Sequence, residues 1–350
     1  GYLFGRIADV VRDEAGQIYV LDYQQQETYV FDPSGKLVQV LGRKGEGPGE
    51  TTMASNLLVG PDHFGLLNRF PAEVVRLDSA GDPVGSVSLH FPDQQDSFLG
   101  CWYGRYRHGK VVVGFTDSRF DGKIKSTHDY LAGCAPDGSL GPIYVDFGEG
   151  NPRESRDGVA DEGVFYEPLA GRWDLDERGR VWIAPYRDQY LLQVRDDSGA
   201  VEMEVTRAYG RPTRTEAELR RARASFEHRW SRTDLPVKIA DHAPCVEKLW
   251  IMENPWGSEV WVQPGNALQS PEPGVMIRYD VFNLDGAFTH QVDIVGDADP
   301  LFDRFHLVGN NRLILIRNAT DGGYDEDDPS SPRFDDADVE VISYCIVWEE

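Results

Sequence analysis

Six polar residues stand at corresponding places in six strand-rich units of this 350-residue chain: Asp9, Asn56, Arg105, Arg172, Lys248 and Arg304, with His306 two positions beyond the last. Brought together, side chains of these types could do one of two things. Guanidinium and ammonium groups can surround an anion, each arginine fork meeting carboxylate or phosphate oxygens two at a time. They can also form a ring of structural ion pairs in which Asp9 supplies the acid. The residue types leave both readings open. A hard metal ion fits poorly, because it needs oxygen ligands and most of these positions are cationic.

Other residues suggest weaker chemistry. Asp321, Asp325, Asp327 and Asp328, with Asp335 and Asp336 nearby, offer oxygens for a surface Ca²⁺, without EF-hand or nonapeptide spacing. A solvated acidic loop is the competing reading, and apart from that Ca²⁺ no cofactor is expected. Trp102, Tyr103, Tyr106 and Trp256 could stack on sugar rings or simply pack between strands. Nucleophilic catalysis has no support, since GxSxG, HExxH and P-loop patterns are absent and the eight histidines are scattered without paired spacing.

The elements that must position these residues form a repeat, and residues 7–49 are its template. IADVVRDEAG, QIYVLDYQQQ, ETYVFDPSG and KLVQVLGRKGEGPG each carry a short run rich in Val, Ile, Leu and Tyr, ended by Gly, Asp, Pro or Ser. That is the pattern of half-buried antiparallel strands joined by tight turns. The turn between third and fourth strands recurs as FDPSG, LDSAG, CAPDG, RDDSG and NLDG, ending at Gly35, Gly81, Gly138, Gly199 and Gly286. An Asp or Asn that bonds its own backbone, followed by Gly at positive φ, closes such a hairpin. Second strands align as well: Ile18-Tyr19-Val20, Val181-Trp182-Ile183 and Val260-Trp261-Val262.

The expectation is an all-β, six-bladed β-propeller of four-stranded antiparallel blades in a single domain, with blades at about 7–49, 50–95, 98–150, 165–210, 243–296 and 302–350. A helical insertion at about 211–235 separates the fourth blade from the fifth, marked by the capping box Thr215 to Glu218. Leu219, Ala222, Phe226 and Trp230 give that helix one apolar stripe. The last blade shows only three strands, so the N-terminus is expected to lend it a fourth. Residues 1–4 are few for that purpose, and further native residues upstream of Gly1 are expected.

On these turns and strands, and on the linker from Leu41 to Glu50 (LGRKGEGPGE), the chain resembles the NHL-repeat-like six-bladed propellers of bacteria. The resemblance covers nearly all of the chain and is strongest in the first, second and fourth blades. It implies first strands gathered around an axial channel, where the seven polar positions would face one another. Such propellers serve as hydrolases, lyases, sensors and binding platforms. Members that hydrolyse lactones or esters hold channel Ca²⁺ with Glu, Asp and Asn oxygens, whereas the matching positions here are mostly cationic. An extracytoplasmic setting, periplasmic or at the cell surface, goes with the resemblance.

Long segments fall unevenly. Turns between first and second and between third and fourth strands are short, so one face of the disc should be plain. The segments 116–127, 147–167, 209–242, 263–274 and 317–338 should emerge on the other face, where binding usually resides. Residues 207–232 hold eight arginines against three glutamates, and residues 321–340 hold nine acids and one arginine. These two segments could pair with each other, stay solvated or recruit a partner.

A net charge of −24 disfavours nucleic acid and anionic lipid. No run is long and apolar enough for a membrane span, and the opening GYLFGRIADV lacks signal-peptide regions. Cys101, Cys134, Cys245 and Cys345 show no CxxC spacing and are expected to be reduced, buried and structural. Two functions remain: a non-catalytic module binding a protein partner or a polar or anionic ligand on the decorated face, with self-assembly as a variant, or a hydrolase or lyase for a sugar or lactone at the channel mouth.

Overall fold

A computed structural model describes residues 4–61, 63–91, 98–120, 124–149, 159–163, 167, 169–230, 235–254, 256–267, 269, 274–298, 303–309, 311–317 and 339–347. The first sheet contains β1 (Ile7–Arg12), β2 (Ile18–Asp22), β3 (Glu27–Phe31) and β4 (Leu37–Leu41). The second has β5 (Ala54–Gly60), β6 (His63–Asn68), β7 (Glu73–Leu77) and β8 (Pro83–Ser88), and the third β9 (Phe98–Arg107), β10 (Lys110–Phe120), β11 (Ile124–Cys134) and β12 (Leu140–Glu149). After the two-residue β13 (Ala160–Asp161), the fourth has β14 (Trp173–Leu175), β15 (Val181–Ile183), β16 (Leu191–Arg195) and β17 (Val201–Thr206). Helix α1 (Glu216–Trp230) and β18 (Val237–Lys238) precede the fifth sheet: β19 (Val246–Asn254), β20 (Gly257–Pro264), β21 (Val275–Asn283) and β22 (Phe288–Val295). The sixth comprises β23 (Arg304–Leu307), β24 (Arg312–Arg317) and β25 (Glu340–Cys345).

Each sheet runs in sequence order with antiparallel neighbours, and first strands lie beside first strands: β1 against β5, β5 against β9, β9 against β14, β14 against β19. The fold is a six-bladed β-propeller. Its core is divided into apolar layers between blades rather than pooled in one centre. Leu21, Val30 and Leu41 of the first blade interlock with Leu57, Leu66 and Val75 of the second. Trp182, Leu192 and Val194 of the fourth do so with Leu249, Ile251 and Val260 of the fifth. Ile314 and Ile316 of the last blade pack on Ile7, Val10 and Val20 of the first, which closes the ring. Phe4 forms an antiparallel bridge with Val339 just before β25, so the N-terminal segment meets the outer side of the last blade. Asp22, fully buried, holds that segment by accepting the Gly5 amide at 2.6 Å and the Arg6 amide at 3.4 Å.

The recurrent hairpin turns take the form their residues dictate. Asp32, Asp78, Asp196 and Asn283 each accept backbone amides two and four residues on, and Gly35, Gly81, Gly138, Gly199 and Gly286 all have φ between 83° and 90°. Four of these glycines also touch the outer strand of the preceding blade. A Cβ would lie 2.1 Å from the Ser88 carbonyl oxygen at Gly138, 2.4 Å from that of Ile143 at Gly199, 2.7 Å from Val205 at Gly286 and 3.0 Å from Leu41 at Gly81. Each turn is thus a blade-to-blade spacer as well.

Two expectations need correction. Residues 116–127 do not form a free loop, because β10 and β11 continue as a paired hairpin from Val111 opposite Cys134 to Phe120 opposite Ile124, lengthening the third blade. Alternation of Thr, Asp and Ser in this stretch suits a two-sided polar hairpin as well as a loop. All four cysteines are free, but Cys134 is only half-buried and Cys345, at the end of β25 on the rim, is exposed. Residues 321–338, including Asp321, Asp325, Asp327 and Asp328, lie outside the described residues.

Gly35 has the same backbone as Gly199 but, among the described residues, nothing within 4 Å of a Cβ. Gly35→Ala should therefore cost only the left-handed backbone, about 1–2 kcal/mol. Gly199→Ala should cost roughly 1–3 kcal/mol more through overpacking. Urea unfolding of the two variants measures the difference, and equal losses would remove the spacer role. Thiol titration of the native protein should find Cys345 promptly and Cys101 only on unfolding, since burial raises the Cys101 thiol and pushes Cys134 up to about 11.

Candidate functional site

The first strands converge on a cavity of about 570 Å³, within the roughly 300–1,000 Å³ range of small-molecule sites. Asp9, Asn56, Arg105, Arg172, Lys248, Arg304 and His306 all line it. Its roof comes from the long segment between the fourth and fifth blades: Arg214, Glu218, Arg221, Ala222 and Phe226 face inward. The capping box folds as expected, with Thr215 Oγ1 accepting the Glu218 amide at 3.3 Å and Glu218 Oε2 accepting the Thr215 amide at 2.7 Å. Glu216, Arg220, Arg223 and Glu227 form the exposed side of α1, while Phe226 is buried over the cavity.

One buried carboxylate fastens this roof. Glu162 accepts Arg214 through both oxygens, at 3.0 and 3.1 Å, and also Arg187 at 3.1 Å and the Ala240 amide at 3.1 Å. Burial alone would raise its pKa, but the hydrogen bond from Arg214 and the two guanidinium charges win and lower it. Beside it the parallel pair β13–β18 joins the chain entering the fourth blade to the chain leaving α1. Three further arginines of the arginine-rich stretch also pair within the chain: Arg207 on buried Asp280, Arg211 on Asp188 and, on the helix surface, Arg223 on Glu227.

Of the seven lining residues, several have structural partners. Asp9 accepts the Val10 amide at 3.0 Å and, from the next blade, the Leu57 amide at 3.0 Å and Asn56 Nδ2 at 3.3 Å. Arg172 donates to the Val246 carbonyl at 3.0 Å, the Glu167 carbonyl at 2.8 Å and Glu247 at 3.2 Å. Arg105 is less committed, with one hydrogen bond to the Gly104 carbonyl at 3.2 Å and Asp9 at 3.8 Å, and its side chain remains 31% exposed. Structural ion pairing is thus realised at Asp9 and Arg172.

Lys248 is different. Its stem runs past Gly171, where a Cβ would meet Lys248 Cγ at 3.8 Å, and its Nζ lies 5.8 Å from the centre of the Trp250 ring. Among the described residues the ammonium makes no hydrogen bond. Burial, then the charges of Arg304 and Arg221, with Arg172 adding and Glu247 opposing, pull its pKa down to about 8. Burial and the charges of Lys248, Arg304 and Arg105 hold His306 well below the usual imidazole range, so at neutral pH it is an uncharged donor and acceptor. Around Lys248 the arginines thus outweigh Glu247, although the wider lining also carries Asp9, Glu162, Glu167, Glu218 and Asp303.

Sequence reasoning missed Glu162 and Asp174. Asp174 repeats the Asp9 device between the fourth and fifth blades, accepting the Leu175 amide at 2.8 Å and the Ile251 amide at 2.8 Å. The shared apolar-Asp-apolar triplets Ala8-Asp9-Val10 and Trp173-Asp174-Leu175 could have revealed it. Nearby, Arg107 donates to the carbonyls of Leu175 and Ile251 at 2.8 and 3.1 Å, tying three blades. Glu162 carries no local signal. The aromatic set does not assemble: Trp102 and Tyr103 line the cavity, Tyr106 does not, and Trp256 sits exposed in the β19–β20 turn on the plain face. Among the described residues no three His, Cys, Asp or Glu side chains gather as a metal site.

Comparison with known proteins agrees with the fold. A family model described as a 6-bladed beta-propeller matches residues 2–77. A member of the duf4221 family from Bacteroides vulgatus superposes with a TM-score of 0.51 at 11% identity, over 91% of this chain and 88% of its own. A luciferin-regenerating enzyme gives a TM-score of 0.46 at 13% identity over 97% and 91% of the two chains. No curated protein sequence matches. At such identities the likeness extends to the architecture alone.

Asp174→Ala should leave two buried amides without an acceptor and deprive Arg107 of a counter-charge. A loss of about 2–4 kcal/mol in urea unfolding is expected. A variant as stable as the parent would show that the carboxylate does not fasten the fourth blade to the fifth.

Proposed function

We propose that this chain is a binding module that takes a small polar anion at the roofed mouth of its axial channel, without turnover. The observation that carries this reading is Lys248: an ammonium without a hydrogen bond among the described residues, facing a cavity whose size suits a small molecule. A fold that needed only stability would avoid that arrangement, because a half-buried charge without a hydrogen bond costs free energy. An anion in the cavity would supply the missing partner, with Arg105 able to add further N–H donors. The segments at 214–226 and 263–267 that line the mouth support recognition on the same face.

An extracytoplasmic location and membership of the NHL-repeat-like group belong to the same proposal and rest on the repeat pattern. Among the described residues no helix is long and apolar enough to cross a membrane.

The test joins stability to binding. The Lys248 pKa of about 8 lies below its ordinary 10.5, so between those values the unfolded chain holds more protons and stability rises with pH. Below both values the charge is a constant penalty. Lys248→Met should accordingly be more stable than the parent at pH 7, by on the order of 1–3 kcal/mol in urea. In calorimetry with inorganic phosphate or lactate the same variant should bind at least about tenfold more weakly, as should Arg105→Gln. Unchanged affinity in both variants would remove the anion reading.

A further inference from the structure

We propose that Lys248 captures an oxo acid as a reversible imine, so that the ligand class of the cavity is a small carboxylate bearing a neighbouring aldehyde or ketone. This rests on the anion-binding reading and adds the carbonyl to it. Four features of the site carry the inference. The amine projects from β19 into the roofed cavity, with its stem against Gly171 and no hydrogen bond among the described residues. The lining guanidinium of Arg105, one of whose N–H groups is engaged by Gly104, is placed to meet a carboxylate. His306, also without a side-chain hydrogen bond among the described residues, lines the same cavity and feels the Lys248 charge. Ala222 and Phe226 of α1, buttressed by Glu162, cover the site and limit competing water.

The chemistry balances without an oxidant or a second substrate. The neutral amine nitrogen of Lys248 adds to the carbonyl carbon, forming a C–N bond as the carbonyl π pair moves to oxygen. A proton passes from nitrogen to that oxygen, for which the neutral His306 imidazole is the available carrier. The nitrogen lone pair then expels the hydroxyl, which takes the second nitrogen proton and leaves as water, and a C=N bond joins Lys248 to the ligand. Hydrolysis reverses each step. A lysine of ordinary basicity is a poor nucleophile at neutral pH, whereas lowering its pKa from 10.5 to about 8 raises the neutral fraction about 300-fold. Arg304, Arg221 and Arg172 favour the neutral amine, and Glu247 opposes them.

The experiment is reductive trapping of the full chain with pyruvate or glyoxylate and cyanoborohydride, mapped by peptide mass spectrometry. Lys248 should acquire the carboxyalkyl group at least about tenfold faster than exposed Lys36, with a rate that rises with pH towards about 8. That trend is opposite to the one expected if the ammonium bound the acid by charge alone. Lactate, a carboxylate without a carbonyl, should protect Lys248, and Lys248→Arg should abolish the selective label. Labelling of Lys248 no faster than Lys36 would overturn the inference. If lactate and pyruvate still bind in calorimetry, the anion reading survives that result; if neither binds, both readings fall.

Discussion

Every blade of this protein has two apolar faces, and a sheet with two such faces must find a neighbour on each side. Closing the stack into a ring satisfies all of them at once, and the apolar layer joining Ile314 and Ile316 to Ile7, Val10 and Val20 is where that closure is made. The remaining architecture follows from it. Hairpin turns must be narrow where they nest against the preceding blade, as at Gly138 and Gly199. The first strands, having no room to diverge, must bring their side chains to the axis.

That convergence creates an electrostatic problem, which the protein solves unevenly. Asp9 and Asp174 turn their carboxylates into backbone stitches between successive blades, and Arg107 and Arg172 are absorbed by carbonyls and acids. These groups rigidify the channel. Lys248 and His306 are left facing the cavity in a form the fold alone does not favour, one by burial among positive charges and the other by burial beside it. It is on these two perturbed groups in a roofed cavity that the proposed anion site rests.

The roof extends the same economy. Its helix has a capping box at its start and an exposed polar side, but its position over the channel depends on Glu162, which draws Arg187, Arg214 and the Ala240 amide to one buried carboxylate. Arg207, Arg211 and Arg214 of the arginine-rich segment are thus fastenings rather than an open basic surface. Arg221, facing inward, is the part of it that adds charge to the cavity.

The sequence by itself determined the repeat, the turn chemistry, the capped helix and the strand that each channel residue belongs to. All of these depend on interactions within about a dozen residues, such as Asp196 with its own turn amides or Thr215 with Glu218. It also indicated that Asp9, Asn56, Arg105, Arg172, Lys248, Arg304 and His306 share an axis, because a propeller places equivalent positions of its repeat together. Only the tertiary structure decided their separate roles. Arg172 and Lys248 look alike in sequence, but one meets the Glu167 carbonyl and, from β19, the Val246 carbonyl and the Glu247 carboxylate, while the other meets further cations and an open cavity. The pairing of Glu162 with Arg187 and Arg214 and the continued pairing of β10 with β11 were decided there too. Charge and hydrogen-bond partnership are properties of neighbours in space, and here those neighbours come from blades far apart in the chain.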